Sequence, residues 1–140
     1  MLQAPPRDRP ESSTLVEMVF PEQSNHYGTL FAGAGLSMMA KAAYITASRF
    51  SGRNIVLAAS ENIRFGDPVA VGAALCLTGT VVRKGRCSMT VEVVAEAEDL
   101  LTGTRRPAIT GRFEMVAVGS DGRPTPIRDA HDADAQTPHL

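Results

Sequence analysis

The longest apolar segment of the chain runs from Leu30 to Phe50, LFAGAGLSMMAKAAYITASRF. Four polar residues recur along it every three to four positions: Ser37, Lys41, Tyr44 and Ser48. That interval is the period of an α-helix and not of a β-strand. The pattern therefore predicts one long helix with a narrow polar stripe and a mostly buried surface. Because charged and small polar residues interrupt the segment, we do not expect it to span a membrane.

Apolar and β-branched residues alternate with polar ones through most of the remaining chain, which is typical of strands. Strands are predicted at residues 14–20, 54–65, 75–83, 87–97 and 105–118. The second should be buried on both faces at its start, where five apolar residues follow one another, and Gly79 should mark a bulge or tight bend in the third. A strand, a helix and four further strands, without a repeated β-α-β unit, indicate an α+β fold in which one curved antiparallel sheet wraps around a long central helix.

Length and composition fit one globular domain, since the 140 residues are 44% hydrophobic and 21% charged. We place this domain at residues 14–127. Residues 1–13 and 128–140 carry prolines and charges without any periodic pattern, and both are expected to be disordered. A single sheet around one helix leaves its edge strands open, so we expect at least a homodimer, and further assembly into a dimer of dimers or a trimer of dimers.

The net charge of −1 gives no general attraction to nucleic acid or to an anionic membrane. We therefore expect neither partner. The two cysteines form no C-x-x-C motif and no cluster with histidine, so we expect free thiols, no metal site and no bound cofactor. Since there is also no signal peptide, these features predict a cytoplasmic protein.

Several blocks of the sequence resemble those of one known family. The opening block, residues 25–33 (NHYGTLFAG) followed by 39–44 (MAKAAY), resembles the N-x-x-G-x-L-F-G-G…M-D-x-A-A opening of hotdog-fold acyl-CoA thioesterases. Residues 65–72, 84–89 and 113–118 are similar to its later blocks, in the same order and at the same spacing. The resemblance covers about residues 14–127. It implies a hotdog fold and hydrolysis of acyl-CoA to a free fatty acid and CoA, a reaction of fatty acid metabolism, with the CoA thioester as substrate or ligand.

The chain departs from the family pattern at one critical position. The catalytic aspartate of the family helix falls on Ala40, and Leu57 stands where related sequences often carry threonine. A methyl group cannot act as a general base or nucleophile. The resemblance is therefore compatible with a thioesterase of reduced activity, and equally with a non-catalytic acyl-CoA-binding or regulatory module. A hydratase or dehydratase would need a catalytic histidine with an acid, and His26 is its one candidate.

Three residues are candidates for the chemistry. The resemblance implies that Asn25 positions the lytic water or the carbonyl, and that N–H groups around Gly33 stabilise the oxyanion. Gly33 also has a structural interpretation, the close packing of the helix against a neighbour. Glu61 is the substitute acid, because unbroken alternation would direct it to the apolar side of its strand, although a bulge or a salt bridge would make it structural.

The remaining candidates concern substrate binding. Arg83, Lys84 and Arg86 cluster at a hairpin turn and could meet the phosphates of CoA, although such a cluster is more often a solvated hairpin tip. The resemblance implies further substrate contacts at four positions: His26, Phe31, Ala40 and Ser88.

Overall fold

A computed structural model describes residues 9–128. Its elements are β1 (Ser12–Met18), a 3-10 turn (Pro21–Gln23), α1 (Ala32–Ser51), β2 (Asn54–Phe65), β3 (Ala74–Lys84), β4 (Ser88–Glu98) and β5 (Arg105–Val118). The predicted order of one strand, one helix and four strands is confirmed. β1 starts at Ser12, two residues earlier than expected, so the predicted disorder is wrong for Ser12 and Ser13. Of the segments predicted to be disordered, residues 1–8 and 129–140 lie outside the described part of the chain.

The five strands form one sheet in the order β1-β3-β4-β5-β2, and every neighbouring pair is antiparallel. α1, which connects β1 to β2, lies across one face of this sheet and contacts all five strands. We call this the inner face, and the opposite one the outer face. β1 and β2 are the two edges.

The helix buries the side predicted from its pattern. The buried positions are Gly35, Met38, Met39, Ala42, Ala43, Thr46, Ala47 and Ser51. They pack on inner-face residues such as Phe113, which is 2% exposed and whose burial stabilises the fold by about 1.5–3 kcal/mol. Ser37, Lys41 and Tyr44 of the polar stripe are exposed. The helix ends at Gly52, whose left-handed backbone (φ 64°) suits glycine.

Gly79 does not mark a bulge. It pairs regularly with Ser13 and Val93, and the irregularity of the β3–β4 ladder lies further on, between Val81 and Arg83. The reason for glycine is the helix, because a Cβ at this position would collide with the hydroxyl of Thr46. The missing side chain allows α1 to approach the middle of the sheet closely.

The prediction that β2 is buried on both faces at its start is wrong. Only Ile55 is buried there, whereas Val56 is 48% and Leu57 47% exposed. Among the described residues, β2 is an edge strand with β5 as its one neighbour, and neither a further strand nor the helix covers Val56 and Leu57. This edge is therefore an apolar, unpaired surface of the subunit.

Within residues 9–128, no helix is both long enough and apolar enough to cross a bilayer. The same residues contain no group of three or more His, Cys, Asp or Glu side chains that could hold a metal ion. Cys76 and Cys87 are both free thiols, as predicted.

Candidate active site

A cavity of about 280 Å³ opens at the start of α1. It lies between the loop that precedes the helix, the turn that follows β2 and the first residues of β5. Its wall is largely apolar and includes Leu30, Phe65, Val69, Ala108 and Ile109. Three of the residues that line it are polar: Asn25, Thr29 and Asp67. A small apolar cavity with a few polar groups is the usual form of a ligand site.

Asn25 is held in a fixed orientation. Its Oδ1 accepts hydrogen bonds from the backbone N–H groups of Tyr27 (2.9 Å) and Thr29 (3.2 Å), which identifies this atom as the oxygen. Its Nδ2 donates to the Thr29 hydroxyl at 3.0 Å. Since an amide nitrogen carries two hydrogens, one N–H remains for a molecule in the cavity. The predicted site residue Asn25 therefore lies in a cavity with a donor available.

The first turn of α1 supplies further donors. The N-cap of α1 is Phe31, and no side-chain hydrogen bond caps the helix. Within the described residues, the N–H groups of Ala32, Gly33 and Ala34 have no hydrogen-bond partner. Ala32 lines the cavity. These N–H groups form the positive end of the helix dipole, where a developing negative charge is stabilised.

His26 and Phe31 flank this region. The His26 ring contacts that of Tyr27 at a centroid distance of 4.0 Å, and both side chains are exposed. Phe31 is 55% exposed and its ring lies against Gly33, where a Cβ would come within 2.6 Å of it. The glycine thus gives the aromatic ring its place beside the helix start, which agrees with the structural interpretation of Gly33.

Ala40 does not line the cavity. It is half-buried on α1 and packs against the hydrophobic core. Eight residues separate it from the first helical residue, a rise of about 12 Å. Within one subunit, Ala40 and Asn25 are therefore not brought together.

Glu61 does not point inward, because the alternation of β2 is broken by a bulge, the structural alternative considered for this residue. Ala58 is an extra residue in the β2–β5 ladder, because Leu57 pairs with Met115 and Ala59 with Glu114. A one-residue bulge reverses the alternation of the strand beyond it. Glu61 is exposed and lies opposite Arg112 on the outer face. A catalytic role for Glu61 stays a prediction that this orientation does not support.

The basic cluster lies at the other end of the helix. Lys84 stands over the Phe50 ring, 5.7 Å from its centroid, whereas Asn25 is near the first turn. The 20 residues of α1 span about 30 Å, so the structure does not bring the cluster to the cavity within one subunit.

The members of the cluster differ in their contacts. Arg83 is bound to Glu114 at 3.2 Å and donates to the hydroxyls of Thr90 (2.9 Å) and Ser88 (3.3 Å). Ser88 is therefore engaged by Arg83. Arg86 is exposed at the turn.

Three arginines that the sequence did not single out join this end of the molecule. The Arg9 guanidinium lies against Gly52, where a Cβ would come within 2.5 Å of it. Arg49 donates to the Ser13 hydroxyl at 3.2 Å, and Arg53 to the carbonyl of Pro126 at 3.0 Å. Arg9 precedes Arg49 by 40 residues in the sequence, so only the fold shows that it lies at the same end as Arg49 and Arg53.

Asp67 is another residue that sequence reasoning missed. The segment Gly66–Pro68 lies in the block 65–72 that resembles the family, but it has the composition of an ordinary turn, in which aspartate is common, and no role was predicted for Asp67. Only the fold shows that this turn borders the cavity that Asn25 lines.

A second cavity of about 520 Å³ lies between residues 70–73 and the β4–β5 turn. It contains none of the predicted site residues. Near it, the thiol of Cys76 donates a hydrogen bond to Glu98 at 3.4 Å. Burial, followed by this hydrogen bond to a carboxylate, raises the pKa of the Cys76 thiol above its ordinary value.

Comparison with known proteins gives a family match. Residues 27–104 match the model of the thioesterase superfamily. An uncharacterised acyl-CoA thioester hydrolase of Bacillus subtilis is 36% identical over 109 residues, which are 78% of this chain. The chain spans 63% of that relative's length, and 31% of the length of a cytosolic acyl coenzyme A thioester hydrolase from rat.

Solved structures agree in fold. A hexameric acyl-CoA thioesterase in its apo form is 34% identical, with a TM-score of 0.81 over 90% of this chain and 80% of that one. An acyl-CoA hydrolase from Staphylococcus aureus, solved as a variant with coenzyme A, is 25% identical, with a TM-score of 0.81 over 85% of this chain and 71% of that one. The match to the family model and the shared architecture show that this chain belongs to the thioesterase superfamily and has its hotdog fold.

Proposed function

We propose that the protein hydrolyses acyl-CoA thioesters to a free fatty acid and CoA. The observation that carries this proposal is the cavity at the start of α1, where the free N–H of Asn25 and the unpaired first-turn N–H groups meet an apolar wall. Apolar walls suit an acyl chain, and clustered donors suit a thioester carbonyl. Family membership and the relatives' activity add support.

In this proposal the thioester carbonyl lies at the helix start. Attack by water at the carbonyl carbon places negative charge on the carbonyl oxygen. Donors that are already in position stabilise that charge, and removal of one typically costs about 10²–10³ in rate. Asn25 and the N–H groups near Gly33 are the proposed donors.

We propose that activity is reduced relative to enzymes with a complete catalytic set. In the Staphylococcus aureus hydrolase, an asparagine, an aspartate and a threonine have each been replaced by alanine in separate structures, at positions 15 and then 17 residues apart. Asn25, Ala40 and Leu57 have the same spacing. This supports the assignment of Ala40 to the aspartate position and Leu57 to the threonine position. Loss of a general base costs about 10²–10⁴ in rate when no other acid replaces it.

We also propose a homo-oligomer in which subunits share the site. Leu57 pairs with Met115 and Phe65 with Ile109, which are six residues apart on β5, so the two β2 positions are about 20 Å apart. Because Phe65 lines the cavity with Asn25, Leu57 lies at the far end of the same strand. Asn25 and Leu57 can act in the same site only if a second copy of the chain contributes one of them. The open apolar edge of β2 and the hexameric relative support at least a dimer.

The basic end of α1 is proposed to meet the phosphates of CoA. Lys84 and Arg86 keep the role predicted for them, and Arg9 and Arg53 lie at the same end. Arg9, Arg53 and Arg86 bring three positive charges to a helix end whose partial charge is only about −0.5. Arg83 is less suited, because Glu114 neutralises it. A cytoplasmic location and a role in fatty acid metabolism remain proposals, supported by the cytosolic relatives.

The second candidate is a binding module that holds acyl-CoA without hydrolysis, and Ala40 favours it. One experiment separates the two. A panel of acyl-CoA esters from short to long is assayed for release of free thiol and, in parallel, for binding by calorimetry. Release of thiol by the wild type and its loss in Asn25→Ala support the enzyme, whereas binding without release supports the module.

A further inference from the structure

We propose that Asp67 is the general base of the thioesterase reaction, in place of the carboxylate that the helix lacks at Ala40. This inference rests on the proposed function. Asp67 contributes the one carboxylate among the residues that line the cavity, and Asn25 lines the same cavity. Neither Ala40 nor Glu61, which lies on the outer face, lines this cavity.

The fold holds the turn that carries Asp67 at the cavity. On one side, the N–H of Gly66 donates to the carbonyl of Ala108 at 2.7 Å. On the other side, the N–H of Leu30 donates to the carbonyl of Val69, also at 2.7 Å. Pro68 follows Asp67 directly and restricts the backbone further. Two short hydrogen bonds therefore fix the turn, one to the start of β5 and one to the segment that carries Asn25.

Among the described residues, no side chain or backbone group binds the Asp67 carboxylate. Within residues 9–128, the Asp67 side chain forms no hydrogen bond and no ion pair, in contrast to Glu17 and Glu114, which are bound by Lys41 and Arg83. A base that must accept a proton from water needs such a free oxygen. Asp67 is exposed, so water can reach its carboxylate.

The proposed step is balanced with water as the only co-reactant. The Asp67 carboxylate accepts a proton from water while the water oxygen forms a bond to the thioester carbonyl carbon, and the carbonyl electron pair moves to its oxygen. Asn25 and the first-turn N–H groups stabilise that oxyanion. When the carbonyl re-forms, the C–S bond breaks, and the CoA thiolate takes the proton back from Asp67. The products are a carboxylic acid and the thiol of CoA.

The test compares Asp67→Asn and Asp67→Ala with a matched control, Asp121→Asn. Asp121 is exposed in the turn after β5, and an asparagine can still accept the hydrogen bond that its Oδ1 receives from the N–H of Arg123. We expect the two Asp67 variants to lose about 10²–10⁴ in kcat with little change in KM, as for a general base. The control should match the wild type. Circular dichroism and thermal melts verify that all variants are folded.

Chemical rescue separates catalysis from structure. Added formate, a small carboxylate, should restore part of the rate of Asp67→Ala, where it can occupy the space left by the side chain, and none in Asp67→Asn. A folded Asp67→Asn variant with wild-type kcat would overturn this inference while leaving the proposed hydrolysis intact. A wild-type protein that binds acyl-CoA but releases no thiol would overturn both.

Discussion

Replacement of Asn25 tests the site most directly, because its two roles can be separated by two substitutions. The Oδ1 atom supports the loop through the backbone N–H groups of Tyr27 and Thr29. A typical hydrogen bond contributes about 0.5–1.5 kcal/mol, so Asn25→Ala should lower the free energy of unfolding by about 1–3 kcal/mol. Asn25→Asp keeps an oxygen acceptor in the same place and should lose much less.

The catalytic role proposed for Asn25 rests on Nδ2, which donates one N–H to the Thr29 hydroxyl and has a second N–H left over. Both substitutions remove this donor. Loss of one oxyanion donor costs about 10²–10³ in kcat. The aspartate also places negative charge beside the developing oxyanion, so Asn25→Asp should lose at least as much activity as Asn25→Ala.

The assay pairs thiol release from acyl-CoA with urea unfolding of each variant. The expected pattern is two inactive proteins, of which only the alanine variant is clearly destabilised. Near wild-type kcat/KM in a folded Asn25→Asp variant would refute the donor role. Equal stability of Asn25→Ala and wild type would refute the structural role of Oδ1.

Three further predictions follow from other parts of the fold. Ala40→Asp should raise the rate of thioester hydrolysis by one or more orders of magnitude, within the ~10²–10⁴ of a positioned base. Ala40→Asn, the control, should not raise it. Equal rates in the two folded variants would contradict the assignment of Ala40 to the aspartate position of the family. Gly79→Ala should lower the free energy of unfolding by about 1–3 kcal/mol, because a Cβ there meets Thr46. The double variant with Thr46→Ala should recover part of that loss in urea titrations, and additive losses would argue against the clash. At pH 8 a thiol reagent followed by mass spectrometry should label the half-buried Cys87 before Cys76, which is buried and has a raised pKa. Equal labelling of the two thiols would contradict this order. The pKa of Cys76 is higher in the folded than in the unfolded protein, so its contribution to the free energy of unfolding is complete below about pH 8.5 and is lost as the pH rises further.

The sequence by itself determined the elements and their order. Helical periodicity in residues 30–50 and alternation in the strands are local patterns, and local patterns can be recognised in the sequence without the fold. The family blocks likewise pointed to Asn25 as a candidate, and they predicted that Ala40 stands at the position of the family's acid, which the Ala40→Asp variant tests. These properties depend on residue identity and spacing alone.

The tertiary structure decided which side chains face the site. One unpaired residue, Ala58, reverses the alternation of β2 and turns Glu61 to the outer face, and no composition rule marks such a bulge. The position of β2 at the sheet edge exposes an apolar strand that would be buried in the middle. Asp67 meets the Asn25 cavity because hydrogen bonds join segments about 40 residues apart. Long-range pairing brings these groups together, and for that reason the sequence pattern could not identify them.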